Sequence, residues 1–296
     1  MPEKKFDVII VGAGPAGTAG AIKLAESGLC VALLDKATFP RDKTCGDALS
    51  VDVINQLAML SDTLAAQFEV LENKIPSYGV KIFSPDHNHI DIPFIYKNIK
   101  SCGYISPRVD FDNLLFQHAK QYSNVHIYEN CTVTNVEITD DEAALQTSQG
   151  IFTGKIIIGA DGAHSILAKI LGDIKVEKEH YSAGLRVYYE GVSGFHKESF
   201  IELHFFKNIL PGYLWIFPLA GNKANVGIGM LSSTVSEKKV NLKETLQNLL
   251  KTHTHLRERF KEAKPLEAIK GYGLPLGSKK EIYQEKNFCL PVMLRL

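Results

Sequence analysis

Phe6-Asp-Val-Ile-Ile-Val11-Gly12-Ala-Gly14-Pro15-Ala16-Gly17-Thr-Ala-Gly20, closed by Cys30-Val-Ala-Leu-Leu34-Asp35-Lys36, is the stretch that decides the fold. Phe6 to Val11 is short, β-branched and apolar on both faces, the pattern of a strand buried inside a parallel sheet. Pro15 to Ser27 has a helical apolar stripe at Ala19, Ile22, Leu24 and Ala25, and Gly28 is placed to end it. Cys30 to Leu34 supplies the next strand. A glycine-rich turn between strand and helix, with an acid at the tip of the second strand, is a dinucleotide-binding βαβ unit. Gly12 permits the tight turn, Gly14 allows backbone to approach a pyrophosphate, and Gly17 lets the helix pack closely. The helix start, at Pro15 and Ala16, offers free N–H groups and its dipole to phosphates. Asp35 can accept both hydroxyls of an adenosine ribose and repels a 2′-phosphate; Lys36 adjoins it.

Working outward, 45% of the 296 residues are hydrophobic, which supports a packed core. Lys+Arg and Asp+Glu both number 33, so no net field recruits nucleic acid or an anionic bilayer. The five cysteines, Cys30, Cys45, Cys102, Cys131 and Cys289, form no CxxC pair. Neither a disulfide framework nor a zinc knuckle is expected, and a reducing cytoplasm is the natural setting. No apolar run approaches membrane-spanning length, which leaves room only for peripheral contact with a bilayer. His87, His89, His253 and His255 fall in i, i+2 pairs without acidic or cysteine partners in sequence. They are read as loop and helix-surface residues, and no metal is expected.

Asn124 to Ile158 is strand-rich, with polar turns at Asp140-Asp141 and Gln149-Gly150. It opens onto Asp161-Gly162-Ala-His-Ser165 and a short helix to about Leu171. Asp161 can accept a ribityl or ribose hydroxyl while nearby N–H groups face phosphate. Ser106-Pro-Arg108 opens another helix, to about Tyr122, with Arg108 placed to touch a phosphate or ribityl group. Tyr78 to Ile95 and Ala183 to Met230 alternate as antiparallel strands do, and Asn241 to Phe260 is predicted as one covering helix. The expected architecture is α/β: a Rossmann-like dinucleotide-binding domain with a parallel sheet, and an inserted substrate domain built on an antiparallel sheet. The choice between FAD and NAD rests on the later segments, whose family resemblance makes the first an FAD-binding domain. The segments expected are 1–72, 101–175 and 270–296 for the first and 73–100 and 176–269 for the second.

Three further stretches carry a family resemblance. Phe39-Pro-Arg-Asp-Lys43-Thr-Cys45-Gly46-Asp47, Arg108-x-x-Phe111-Asp112-x-x-Leu115, and Tyr213-Leu-Trp215-Ile-Phe217-Pro218 with Asn225-Val-Gly227-Ile-Gly229 resemble motifs of the geranylgeranyl reductase family of flavoproteins. With the βαβ unit and the Asp161-Gly162 loop they cover nearly the whole chain in order. The resemblance implies FAD, a p-hydroxybenzoate hydroxylase-like fold, and reduction of isoprenoid double bonds, with NAD(P)H or a small carrier as reductant. It implies that Lys43 to Asp47 line the flavin, with Cys45 either the proton donor or a packed thiol. Tyr213, Trp215 and Phe217 are then expected to border a prenyl-lipid pocket. Gly212 to Pro218 also resembles a motif of flavin-dependent halogenases, which keeps a monooxygenase or halogenase as the alternative; a non-catalytic remnant is a third.

Two departures accompany the resemblance. Ala168 stands where the family usually has an arginine, with Lys169 beside it. After Leu290 the family pattern expects Gly-Asp-Ala-Ala, but the chain reads Pro291-Val-Met-Leu-Arg-Leu296. Restoring one base to codons for this ending can yield Leu-Ala-Gly-Asp-Ala-Ala-Ser. A one-base slip before the second FAD motif is therefore expected ahead of an ordinary divergent ending or a deliberately trimmed one, along with weak FAD binding and doubtful activity in this chain.

Overall fold

The computed structural model describes residues 4–96, 98–172, 177–278, 284–285 and 288–289. Pro291 to Leu296, where the frame slip is expected, lies outside them. The first sheet runs, in spatial order, Val125–Tyr128, Val31–Leu34, Lys4–Val11, Gly150–Gly159, Ala143–Thr147 and Val133–Ile138. The first four of these strands pair in parallel and the last two antiparallel. Lys4–Val11 sits centrally, which is why its outer half, Val8 to Val11, is buried on both faces. One face packs Ile9, Phe152 and Ile157 with Leu167; the other packs Val8, Ile10 and Leu33 against Ala21 and Ala25 of the Pro15–Ala25 helix.

The second sheet runs Lys264–Pro265, Tyr181–Glu190, Lys223–Leu231, Gly212–Leu219, Ile201–His204, Gly79–Phe83 and His89–Pro93. Strands from before and after the Arg108–Ala119 helix thus meet in one sheet, as the alternation in sequence led us to expect. Lys270–Pro275 also pairs with Tyr181–Glu190, although the sequence assigns 270–296 to the dinucleotide-binding segments. Its edge position extends the second sheet toward the first.

Period-2 alternation gives this sheet two unlike faces. Leu214 and Ile216 pack against Leu242, Leu246 and Leu250 of the Leu242–Thr252 helix. Tyr213, Trp215 and Phe217 point the other way. The helix expected over Asn241 to Phe260 is instead two, Leu242–Thr252 and Thr254–Arg259. His253 breaks it: its N–H still bonds Leu249 O, but its ψ of 117° is extended, so the chain turns before the second helix starts.

The first helix contains a sharp contrast in glycine use. A Cβ on Gly17 would lie 1.8 Å from Gly12 O, whereas one on Gly20 would meet only Ile10 Cδ1 at 3.6 Å. Gly17→Ala is therefore expected to destabilise the protein by about 1–3 kcal/mol through forced backbone displacement. Gly20→Ala is expected to stabilise it by about 0.5–1 kcal/mol, because the helix interior gains a residue with less unfolded-state freedom. Urea unfolding of both variants checks the opposite signs.

Candidate functional site

The glycine-rich turn is locked from two sides. Gly12 has φ +101°, and a Cβ there would lie 2.3 Å from Ala160 O, so the turn and the Asp161 loop touch through backbone alone. Asp35, half-buried at the strand tip, accepts from Ala13 N and Ala37 N, each at 2.8 Å. It therefore fixes the turn, and its remaining lone pairs leave room for ribose hydroxyls. Gly14 caps the helix with no side chain of its own, and Pro15 occupies the first turn. The space beside Gly14 ends at Arg41, whose Nη2 would be 3.5 Å from a Cβ there. Ala16 lies half-buried in the first turn, and Lys36 is exposed.

The loop around Cys45 is clamped between helix and sheet. Asp47 is fully buried with φ +69°. It accepts from Tyr188 Oη at 2.6 Å, Asn225 Nδ2 at 2.8 Å and Arg108 N at 3.3 Å. Burial pushes its carboxyl up to about 6, although Tyr188 and Asn225 oppose the rise. Asn225 Nδ2 also donates to Cys45 O at 2.7 Å, and Asn225 Oδ1 accepts from Trp215 Nε1 at 2.9 Å. Farther along the same strand pair, the fully buried Arg186 holds Asp42 through two contacts of 2.7 and 2.8 Å and also pairs with Glu267. Arg186 lies over the Tyr188 ring at 4.1 Å. Asp47, expected to line the cofactor, thus spends its carboxylate on holding the loop.

Three cations gather on the other side of that loop. Arg108, expected to reach a phosphate, is bidentate to the buried Asp112 at 2.6 and 2.9 Å, and Arg41 Nη1 joins the same carboxylate at 2.8 Å. Burial opposes the Arg108 charge, but Asp112 and Cys45 hold it firmly protonated. Lys43 Nζ is buried, has no hydrogen-bond partner and sits 2.9 Å from the centre of the Tyr272 ring. Burial, then Arg108 and Arg41, lower its pKa to about 8. Asp161 Oδ2 caps the Ile166–Leu171 helix through Ile166 N and Leu167 N at 2.7 and 3.4 Å, while its Oδ1 is buried without a partner. Gly162, exposed with φ +82°, lies beneath Tyr272. Ala168, at the position where the resemblance expects an arginine, is buried in the core, and the neighbouring Lys169 is exposed. Cations in excess of their one carboxylate, an orphaned ammonium and an orphaned carboxylate oxygen suit a molecule with both phosphates and hydroxyls. The residues present fit FAD on these grounds.

The aromatic strand forms the facing wall. Phe217 lies on Gly46, where a Cβ would meet its ring at 2.7 Å. Trp215 lies across Gly227, where a Cβ would fall 2.1 Å from the indole, and Gly229 borders it at 3.7 Å. The two alternate glycines are therefore the seat of the indole. Tyr213, still exposed, packs 6.2 Å from Trp215. Sequence reasoning missed Arg41, Asp42, Arg186 and Tyr188. Arg186 and Tyr188, polar side chains inside the apolar run Leu185 to Tyr189, were the available signal.

Residues 5–255 match the family model described as FAD binding domain. Menaquinone reductase of Mycolicibacterium smegmatis is 30% identical over 77% of this chain. Digeranylgeranylglycerophospholipid reductase of Methanosarcina mazei is 27% identical over 94% of it. The chain spans 56% and 65%, respectively, of the lengths of these relatives. In fold it is similar to a geranylgeranyl bacteriochlorophyll reductase-like protein from Thermoplasma acidophilum, with TM-score 0.79, 20% identity, and coverage of 98% of this chain and 71% of that one. The flavin-dependent halogenase CmlS shares the fold at TM-score 0.80 and 17% identity, over 97% of this chain and 52% of its own. The expected architecture and the resemblance to geranylgeranyl reductases are borne out.

The Asp47 clamp makes a pH-resolved prediction. Its folded pKa of about 6 exceeds the ordinary 3.8, so ionising it costs stability as pH rises through that window. The Tyr188 hydroxyl offsets part of that cost only when the carboxylate is charged. Tyr188→Phe should thus cost about 1.5–3 kcal/mol at pH 7 and clearly less at pH 4, measured by urea unfolding.

Proposed function

The chain belongs to the FAD binding domain family, and from that premise we propose that it is an FAD-dependent reductase of isoprenoid carbon–carbon double bonds. The observation that favours this reading most is the sheet face beneath Gly46. Trp215 pairs with Leu203, Leu203 with Ile82, and Ile82 with Ile90, so these four side chains share one face across four strands. Ile201, Val80 and Ile92 run alongside in the same register. Lys81 and Glu202 alternate to the opposite face, so no charge interrupts either row. At about 4.8 Å between strands the track is about 14 Å long. A long, apolar, unbranching path suits a prenyl chain and suits a compact polar substrate poorly. It ends at the exposed Ile90 and Ile92, where a peripheral contact at the cytoplasmic side of a bilayer can deliver such a lipid.

Bound FAD, once reduced by NAD(P)H or a small carrier, would supply a hydride to one alkene carbon. The chain's residues do the rest. The Gly12, Gly14 and Gly17 turn, with Pro15 and Ala16 at the helix start, receives the pyrophosphate, and Arg41, Lys43 and Arg108 add positive charge. Asp35, with Lys36 beside it, would hold the adenosine ribose, and Asp161 and Gly162 the ribityl side. Cys45 and Gly46, beside Phe217 and Trp215, would face the reducible bond, with Tyr213 farther along the strand, and Asp47 keeps that loop in place. The Cys45 thiol, beside the Arg108 guanidinium, would hand a proton to the second alkene carbon and be reprotonated from solvent. Hydride and proton together saturate the bond.

Anaerobic incubation of FAD-loaded, chemically reduced protein with a geranylgeranyl lipid tests this. Mass spectrometry should show one hydrogen pair gained per bond reduced. Leu203→Asp should lower the rate at least tenfold, about 1.4 kcal/mol or more, without changing FAD affinity by calorimetry. No saturated product from flavin-loaded protein, together with halogenation of an aromatic under oxygen, would assign the alternative chemistry.

A further inference from the structure

The opposite face of the antiparallel sheet holds a cavity of about 570 Å³ that the reductase reading leaves without a role. Glu202 pairs with Ile216 and His204 with Leu214, so both point to the helix-covered face, away from Trp215. The cavity is closed by the turn after Gly79–Phe83, by residues 194–197 and by the junction of the two helices at His253. The histidine pairs that the sequence leaves as separate surface features are gathered around it. His87, His89, His253 and His255 line it together with His196 and His204.

The balance of charge states what the cavity can take. Six histidines, Lys81, Lys197 and Arg259 line it against one carboxylate, Glu202. That carboxylate is spent: Arg259 binds both its oxygens, at 2.5 and 2.9 Å, and His204 Nε2 lies 3.0 Å from Oε2. At the rim Asp91 faces Lys81 at 3.5 Å and His196 at 3.7 Å. His253 Nε2 meets His87 Nδ1 at 3.1 Å, and His253 Nδ1 is buried without a partner. Phe83 stacks on His204 at 4.1 Å and Phe206 packs edge-on to His253 at 5.0 Å, giving the cavity planar aromatic walls. Among the described residues no group of three His, Cys, Asp or Glu side chains is placed to hold a metal ion.

We propose that this cavity is a binding site for a small organic oxyanion, a phosphate or carboxylate carried on a planar body. The volume lies in the range of small-molecule sites and far exceeds an inorganic ion. Nitrogen donors in excess of acceptors call for an oxygen anion, and ring faces call for a flat partner. The free site also resists further positive charge. Burial first, then His87 and His204, lower the pKa of His253; burial, then Arg259 and His204, lower that of His255. Burial lowers His204 as well, against the pull of Glu202, with Arg259 and Lys81 adding to the drop. An anion reverses this repulsion, so binding takes up protons and tightens as pH falls.

Calorimetric titration of the full chain with phenyl phosphate tests the proposal, with phenol and inorganic phosphate as controls. The expected result is single-site binding, at least fivefold tighter at pH 6 than at pH 8 and at least tenfold tighter than phenol. Lys197→Ala, an exposed change that spares the core, should weaken binding at least threefold. His253→Gln should flatten the pH dependence, with a melting curve confirming that the variant folds. In the imidazole NMR spectrum, His253 and His204 resonances should move on titration. Absence of saturation at millimolar phenyl phosphate, equal affinity for phenol, or unchanged binding in both variants would overturn the proposal.

Discussion

The structure turns on the buried carboxylate of Asp47. It sits in a loop that touches the Arg108–Ala119 helix on one side and the antiparallel sheet on the other, and its oxygens accept from both. An aspartate with positive φ is sparsely populated, and it persists where surrounding bonds over-determine it. Removing one partner of a buried charge commonly costs about 3–5 kcal/mol. The Arg186–Asp42 pair makes a second tie a few residues earlier. Cys45 and Gly46, between the two ties, are therefore held rigidly where the dinucleotide-binding turn and the aromatic strand come together.

The antiparallel sheet divides its labour by face. Alternation sends Trp215, Leu203, Ile82 and Ile90 to one side and Ile216, Glu202, Lys81 and His204 to the other. The first side is apolar across four strands and suits a long hydrocarbon. The second holds a helix-covered core that gives way, toward the His89–Pro93 edge, to an imidazole-rich cavity. One pleated sheet can thus present two chemically unrelated surfaces without either disturbing the other.

Much of this was legible in the sequence because local pattern and tertiary demand coincide. The Phe6 to Asp35 unit folds as its glycines require, and Gly12 and Gly17 are packed too tightly for any Cβ. The Gly227-Ile-Gly229 alternation was recognisable as a motif, but its purpose, seating the Trp215 indole, needed the neighbouring strand. Asp47 and Arg108 were read as cofactor groups, yet both have committed protein partners. The Arg108–Asp112 pair is local, four residues apart on one helix, but nothing in the linear spacing reveals that Arg41 shares that carboxylate, because it arrives there through the fold. The histidines stayed illegible for the same reason: His87 and His253 lie 166 residues apart. The helical pattern over Asn241 to Phe260 also hid the break at His253, after which the second helix carries Arg259 onto Glu202, a partner distant in sequence.

The central claim is that flavin and apolar substrate meet at the loop held by Asp47, beside Trp215. Trp215 is the only tryptophan, so its emission reports on that place alone. Titration with FAD should quench Trp215 fluorescence with the same midpoint as calorimetric binding, and a geranylgeranyl lipid added afterwards should shift the remaining emission. FAD that binds by calorimetry yet leaves Trp215 emission unchanged would contradict the account.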